Sequence, residues 1–173
     1  MDADLDRMKK EASYELRAAL IDGAGFQDAL RLCCYRNPLF VSTLLTELVR
    51  EGFGQDPDIR VITRFVSRVA PDGGVGKAGF PRREAEAVIR AAAGETELLE
   101  EVDPSQFSYP EIGIAILSQL FLEWRYCEAD VDALFGRVER VLALAKEMSS
   151  ELEQVEDNWF AGGMHDSPFV FPI

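Results

Sequence analysis

The sequence predicts an all-α fold: a compact bundle of six or seven helices with a long, heptad-patterned C-terminal helix. Three observations favour it. Apolar residues recur every three or four positions along most of the chain, which is the spacing of one helix face. Glycines and Asx-Pro pairs separate these segments, as helix ends and starts require. With 173 residues, 47% of them apolar, the chain can bury a core without disulfides or metals.

Four helices are predicted in the first half, beginning near residues 4, 26, 38 and 57. Asn37-Pro38 supplies an N-cap followed by proline at the first helical position, and Asp56-Pro57 repeats this arrangement. Gly52 and Gly54 are predicted to end the third helix. The fourth helix is rich in β-branched residues, which would also suit a strand, but its apolar spacing favours a helix.

The glycine-rich segment 71–79 is predicted to be a loop and is the candidate sub-boundary of the chain. A helix over about 82–93 follows, and then a short acidic helical segment near 95–102. The next helix, about 111–126, is apolar over most of its circumference. It is therefore predicted to be the most buried helix.

The last helix, about 129–157, carries two lines of apolar residues spaced seven apart. This heptad pattern is typical of helices that pack along a shared seam, so self-association through residues 129–159 is one hypothesis. We expect a single helical domain over 1–160 and a tail over 161–173. The heptad residues are Val131, Val138, Ala145, Leu152 and Trp159 on one line, and Leu134, Val141, Met148 and Val155 on the other.

The net charge of −13 limits the classes of partner. Residues 1–80 hold 12 acids and 11 bases, whereas residues 81–173 hold 19 acids and 7 bases. Such a chain repels nucleic-acid phosphates and anionic membrane surfaces, so we expect no direct binding to either. The acidic start is unlike a secretion signal, and three cysteines, two of them adjacent, make no disulfide framework. We therefore expect a cytoplasmic protein.

No complete motif for a catalytic, cofactor or metal site occurs in the sequence. Gly76-Lys77 resembles part of a phosphate-binding loop, but Pro71 and Ala78 stand where that motif needs glycine and Ser or Thr. The only histidine, His165, lies in the tail, and zinc sites and nucleophilic triads normally use histidine beside other fixed groups. The cysteines are expected to act as buried small hydrophobes. We expect no enzyme activity, no cofactor and no metal.

Three arginines, spaced four residues apart on the fourth helix, form a cationic stripe of Arg60, Arg64 and Arg68. One interpretation is a solvated face whose arginines pair with the protein's own acids, for example on the last helix. The other is a binding site for a carboxylate- or phosphate-bearing partner, which arginine suits through its bidentate geometry.

Two acidic clusters lie in the second half, one within 95–103 and one near the end of the last helix. Solvated acidic faces are the simplest interpretation. The alternative is that they attract and hold a basic partner. The candidate contact residues are Glu97, Glu100, Glu101, Glu151 and Glu156.

The chain ends in five residues that are too apolar for a free tail, Phe169 to Ile173. Phe169-Val170-Phe171-Pro172 resembles the Phe-x-Phe-Pro docking motif for MAP kinases in eukaryotes. Fourteen arginines against four lysines instead suggest a GC-rich bacterial genome. We expect Phe169 and Phe171 to pack on the protein's own core, since exposed apolar patches are rare; docking into another chain is the alternative.

Four functions remain in order of preference, the last being a helix-turn-helix regulator that would use the Arg60–Arg68 helix as its recognition helix. The first is a non-catalytic protein–protein interaction or regulatory module, such as an adaptor, a regulator or an immunity-type partner. The second is an acidic inhibitor that mimics nucleic acid and blocks a DNA-binding protein. The third is a small-ligand-binding protein or an enzyme with a pocket that no motif reveals.

Overall fold

Helices make up most of the chain that the structure describes. The computed structural model describes the backbone of residues 2–69, 80–99 and 109–160, and the side chains of residues 6–69, 80–98 and 110–149. Within these ranges the chain forms seven α-helices, one 3-10 helix and no β-strand, which confirms the all-α prediction. The helices are α1 (Asp2–Asp22), α2 (Phe26–Arg36), α3 (Pro38–Phe53), α4 (Ile59–Arg68), α5 (Arg82–Ala93), α6 (Tyr109–Trp124) and α7 (Glu128–Phe160).

Helix α3 starts where the Asn-Pro pair predicts. The Asn37 side chain accepts a hydrogen bond from the backbone N–H of Phe40 at 3.4 Å, and Pro38 occupies the first helical position, where no N–H is needed. Gly54 ends the helix with φ of 80°, a conformation that glycine adopts without steric cost.

The prediction that Gly52 ends α3 is wrong. Gly52 lies inside the last turn, and the helix continues to Phe53. A Cβ atom at Gly52 would overlap the six-membered ring of Trp124. Glycine at this position therefore allows the indole of α6 to lie against the backbone of α3, which is a packing role and not a chain-reversing one.

The N-cap of α4 is Asp58, so the prediction that Asp56-Pro57 opens this helix is wrong. The Asp58 carboxylate accepts a hydrogen bond from the backbone N–H of Arg60 at 2.8 Å, which is the usual capping bond. Pro57 precedes the cap. The choice of helix over strand is confirmed, because this segment is an α-helix. Its buried residues, Ile62, Phe65 and Val66, are spaced three and four apart and lie on one helix face.

The second half follows the prediction with small shifts of boundary. Helix α5 has the predicted bounds, and Gly94 with φ of 135° follows its last residue. The acidic segment forms a 3-10 helix over Thr96–Leu99. The predicted loop 71–79 and the tail 161–173 lie outside the described residues, so the domain assignment stays a prediction.

Helix α6 packs against α2, α3 and α5, but α3 buries six apolar side chains, so the prediction that α6 is the most buried helix is not confirmed. Five of its apolar side chains are buried, but Leu122 is 72% exposed. Leu122 is an exception to the burial that the sequence predicted for most of the helix circumference. The buried residues of α6 are Ile112, Ile114, Ile116, Leu117 and Leu120.

By its internal contacts the chain divides into two units, Met1–Glu139 and Arg140–Ile173. The first contains α1 to α6 and the start of α7. The second contains the remainder of α7, up to Phe160. At about 1.5 Å per residue the 33 residues of α7 extend over roughly 50 Å.

Candidate functional site

The second unit carries an apolar stripe on α7 that is exposed to solvent. Val141, Leu144 and Met148 are 41%, 59% and 54% exposed, and Ala145 is exposed as well. These four positions are spaced i, i+3, i+4 and i+7, so they share one face of the helix. We call them the α7 stripe.

The same heptad lines have a different environment earlier in α7. Val131, Leu134 and Val138 are buried in the core of the first unit. The sequence pattern is continuous across these positions and the stripe, whereas the burial is not. The apolar row is therefore buried in its first part, up to Val138, and exposed in the α7 stripe.

Polar contacts from the first unit fix the start of α7. Arg17 of α1 donates a hydrogen bond to Asp132, and Arg137 pairs with Glu47 and Glu51 of α3. These pairs are partly exposed, so each contributes little to stability alone. Together they set the position and the axial rotation of this part of α7.

The first turn of α7 has its own cap. The backbone N–H of Cys127 donates a hydrogen bond to Asp130 Oδ2 at 3.0 Å, in the manner of one half of a capping box. The thiol and the backbone N–H of Cys127 both hold the pKa of the Asp130 carboxyl below its usual range. A carboxylate at this end of the helix also suits the helix dipole.

Among the arginines of the α4 stripe, Arg68 forms an ion pair, and the other two form none with the described residues. All three side chains are exposed. Arg68 donates to both carboxylate oxygens of Glu123 on α6, with distances of 2.7 and 3.0 Å, and its third nitrogen donates to the backbone oxygen of Arg64. Within the part of the chain that the structure describes, the guanidinium groups of Arg60 and Arg64 make no ion pair.

The Arg68–Glu123 pair affects both titrating groups. The hydrogen bond from Arg68 lowers the pKa of Glu123, and the same bond raises the pKa of Arg68. The pair joins α4 to α6. One interpretation of the sequence expected the arginines to pair with the protein's own acids, for example on the last helix; for Arg68 the acid lies on α6 instead. Arg68 is thereby occupied within the protein.

The acidic candidates are described only in part. Glu97 is exposed in the 3-10 helix. Glu100, Glu101, Phe169 and Phe171 lie outside the described residues. Glu151 and Glu156 belong to α7, and only their backbone is described.

Leu144 is the member of the stripe that the heptad prediction did not include. Its position three residues after Val141 and four before Met148 is the signal that could have found it. The heptad lines alone placed Val141, Ala145 and Met148 together. With Leu144 added, the apolar face widens on one side.

The described residues offer no cluster of side chains suited to metal binding. No three His, Cys, Asp or Glu side chains among them are grouped as metal ligands, and none of their buried side-chain N or O atoms lacks a hydrogen-bond partner. Cys33 is buried, and burial raises its pKa to about 11. Cys34 is partly buried and Cys127 is exposed, so the expectation of buried cysteines is wrong for Cys127.

This difference in burial predicts the order of thiol modification. Because the thiolate is the reactive form, a pKa of about 11 leaves Cys33 nearly unreactive near pH 8. We expect iodoacetamide to modify Cys127 first and Cys33 only after unfolding, as followed by peptide mass spectrometry. Modification of Cys33 in the folded protein as fast as that of Cys127 would contradict its burial.

Fold and surface together define an all-α protein of seven described helices with an exposed apolar helix face. No family model, curated protein or solved structure matches this chain. Among the described helices, none combines the length and the apolar content needed to cross a membrane.

Proposed function

We propose that this chain is a non-catalytic protein–protein interaction module that docks a partner on the α7 stripe. The exposure of Val141, Leu144 and Met148 on one helix face is the observation that carries the proposal. Single exposed apolar residues are common on protein surfaces, whereas contiguous apolar rows usually mark interaction sites. An adaptor or a regulator needs such a surface and no catalytic group.

The arrangement of α7 suits this role. Its first turns, which belong to the first unit, are bonded to α1 and α3 through Arg17 and Arg137. Removing a leucine side chain from water contributes about 1.5–3 kcal/mol. Two or three such side chains at the centre of an interface suffice for hot-spot behaviour.

Capture of partners from a lysate of the native host tests the proposal with matched variants. The stripe variant carries Leu144→Gln and Met148→Gln. The control variant carries Leu122→Gln on α6, where the side chain is 72% exposed but lies outside the stripe. We expect the same protein to be recovered by the wild type and the control, and about tenfold less of it by the stripe variant, as quantified by mass spectrometry.

All three proteins should unfold at similar urea concentrations, because exposed substitutions change stability by about 0.5 kcal/mol or less. Equal recovery by all three would remove the stripe as the docking surface. If the recovered protein binds DNA and DNA displaces it without any effect of the stripe, the nucleic-acid-mimicking alternative takes the place of this proposal.

A further inference from the structure

We propose that the partner places on the α7 stripe an amphipathic helix flanked by lysine or arginine. This inference rests on the proposed docking function and adds the chemistry of the occupant. Two properties of the second unit support it: the shape of the apolar face and the charge around it.

The shape favours a helix as the occupant. From Val141 to Met148 the stripe rises about 10 Å along the helix axis, and it is only one helix face wide. A second helix packs its own apolar row against such a ridge, with side chains of one row entering the spaces of the other. A broad flat surface would contact only a fraction of so narrow a row.

The charge favours a basic occupant. Residues 140–160 hold five acids and two bases, and the whole chain carries a net charge of −13. In sequence, Glu147 and Glu151 follow Leu144 by three and seven residues, spacings that return to the same side of a helix. Arg140 precedes Leu144 by four residues and shares that side with the two glutamates, whereas Lys146 is two residues from both Leu144 and Met148, a spacing that does not share a face. Acids therefore outnumber bases by two to one on this side.

A second copy of this chain is a poorer occupant for the same reason. It would bring another 140–160 segment with the same excess of acids, and like charges across a helix pair are destabilising. Lysine and arginine instead attract the acidic segment over long range. Their aliphatic stems also cover the margins of an apolar row.

Two synthetic peptides test the inference on the full-length protein. Both carry leucine at the a and d positions of a heptad repeat; one has lysine at the e and g positions and the other has glutamate. We expect the dissociation constant of the lysine peptide, measured by fluorescence anisotropy, to be at least about tenfold lower than that of the glutamate peptide. The difference between the two constants should shrink at high salt.

The stripe variant separates specific binding from general attraction to an acidic protein. We expect Leu144→Gln with Met148→Gln to weaken the lysine peptide about tenfold, and Leu122→Gln to leave it unchanged. An affinity that is the same in the stripe variant would overturn the inference, since the peptide would then be held by charge alone.

Other occupants give different results. Equal, stripe-dependent binding of both peptides would overturn the basic partner and leave the docking function intact. A dimer in analytical ultracentrifugation that the stripe variant dissociates would identify a second copy instead. Peptide binding that appears only after Phe169→Ser and Phe171→Ser would identify the chain's own tail. If neither peptide binds and none of these effects is seen, the inference is overturned, whereas the docking function is decided by the capture experiment with the stripe variant.

Discussion

Replacing Phe40 by alanine is expected to lower the free energy of unfolding by about 3–5 kcal/mol, the usual cost of truncating a buried phenylalanine. Phe40 of α3 is 2% exposed. Its ring packs edge-to-face on Phe135 of α7, with the ring centroids 5.2 Å apart. The substitution would leave a cavity at the contact that joins the start of α7 to the core.

Urea denaturation followed by circular dichroism measures this loss. Leu39→Ala is the matched control: it is the preceding residue on the same helix, but its side chain is 62% exposed. We expect the control to change stability by about 0.5 kcal/mol or less. Similar losses for the two variants would mean that α7 does not pack on α3 through Phe40.

The second large effect is expected at Gly52, where alanine should destabilise the protein by about 1–3 kcal/mol. The added Cβ would overlap Cη2 and Cζ2 of Trp124, so either the indole or the backbone of α3 must shift. This is the cost of overpacking a well-filled site. A thermal melt should show the loss, and the emission of Trp124 should change in the folded protein.

Gly113 supplies the opposite result for the same substitution. It is buried in α6, and an added Cβ would meet only Leu45 Cδ2 at an ordinary 3.7 Å. Alanine there should stabilise the protein by about 0.5–1 kcal/mol through its better helix propensity. If alanine changed the free energy of unfolding in the same direction at both positions, the indole would not lie against Gly52.

Replacing Trp124 by leucine in the Gly52→Ala background provides a further check. The coupling energy in this double-mutant cycle should be favourable, because the smaller side chain removes the overlap. Additive effects would indicate that the two positions are not in contact.

The sequence was sufficient for the elements whose signals are local. Asn37-Pro38 marks the start of α3 because cap and proline act within one turn. Asp56 and Asp58 offer the same capping chemistry two residues apart. Their spacing alone could not show that Asp58 is the residue that bonds the N–H of Arg60.

The features that could not be predicted from the sequence depend on contacts between residues that are distant along the chain. In the sequence, Gly52 has the position of a helix end. Its packing role depends on Trp124, which lies against it but is far along the chain. The spacing of the arginines could not identify Glu123, 55 residues away, as the partner of Arg68. The spacing of Val141 and Met148 predicted an apolar face, but only the packing of α7 shows that this face is exposed while Val138 is buried.

Photo-crosslinking from position 144 in the native host tests the docking surface most directly. A benzophenone-bearing residue replaces Leu144 in one protein and Leu122 in a second, both on exposed positions. We predict that position 144 crosslinks to a lysine- or arginine-rich helical segment of another protein, identified by peptide sequencing, and that position 122 does not. Crosslinking from 144 no greater than that from 122 would contradict the account.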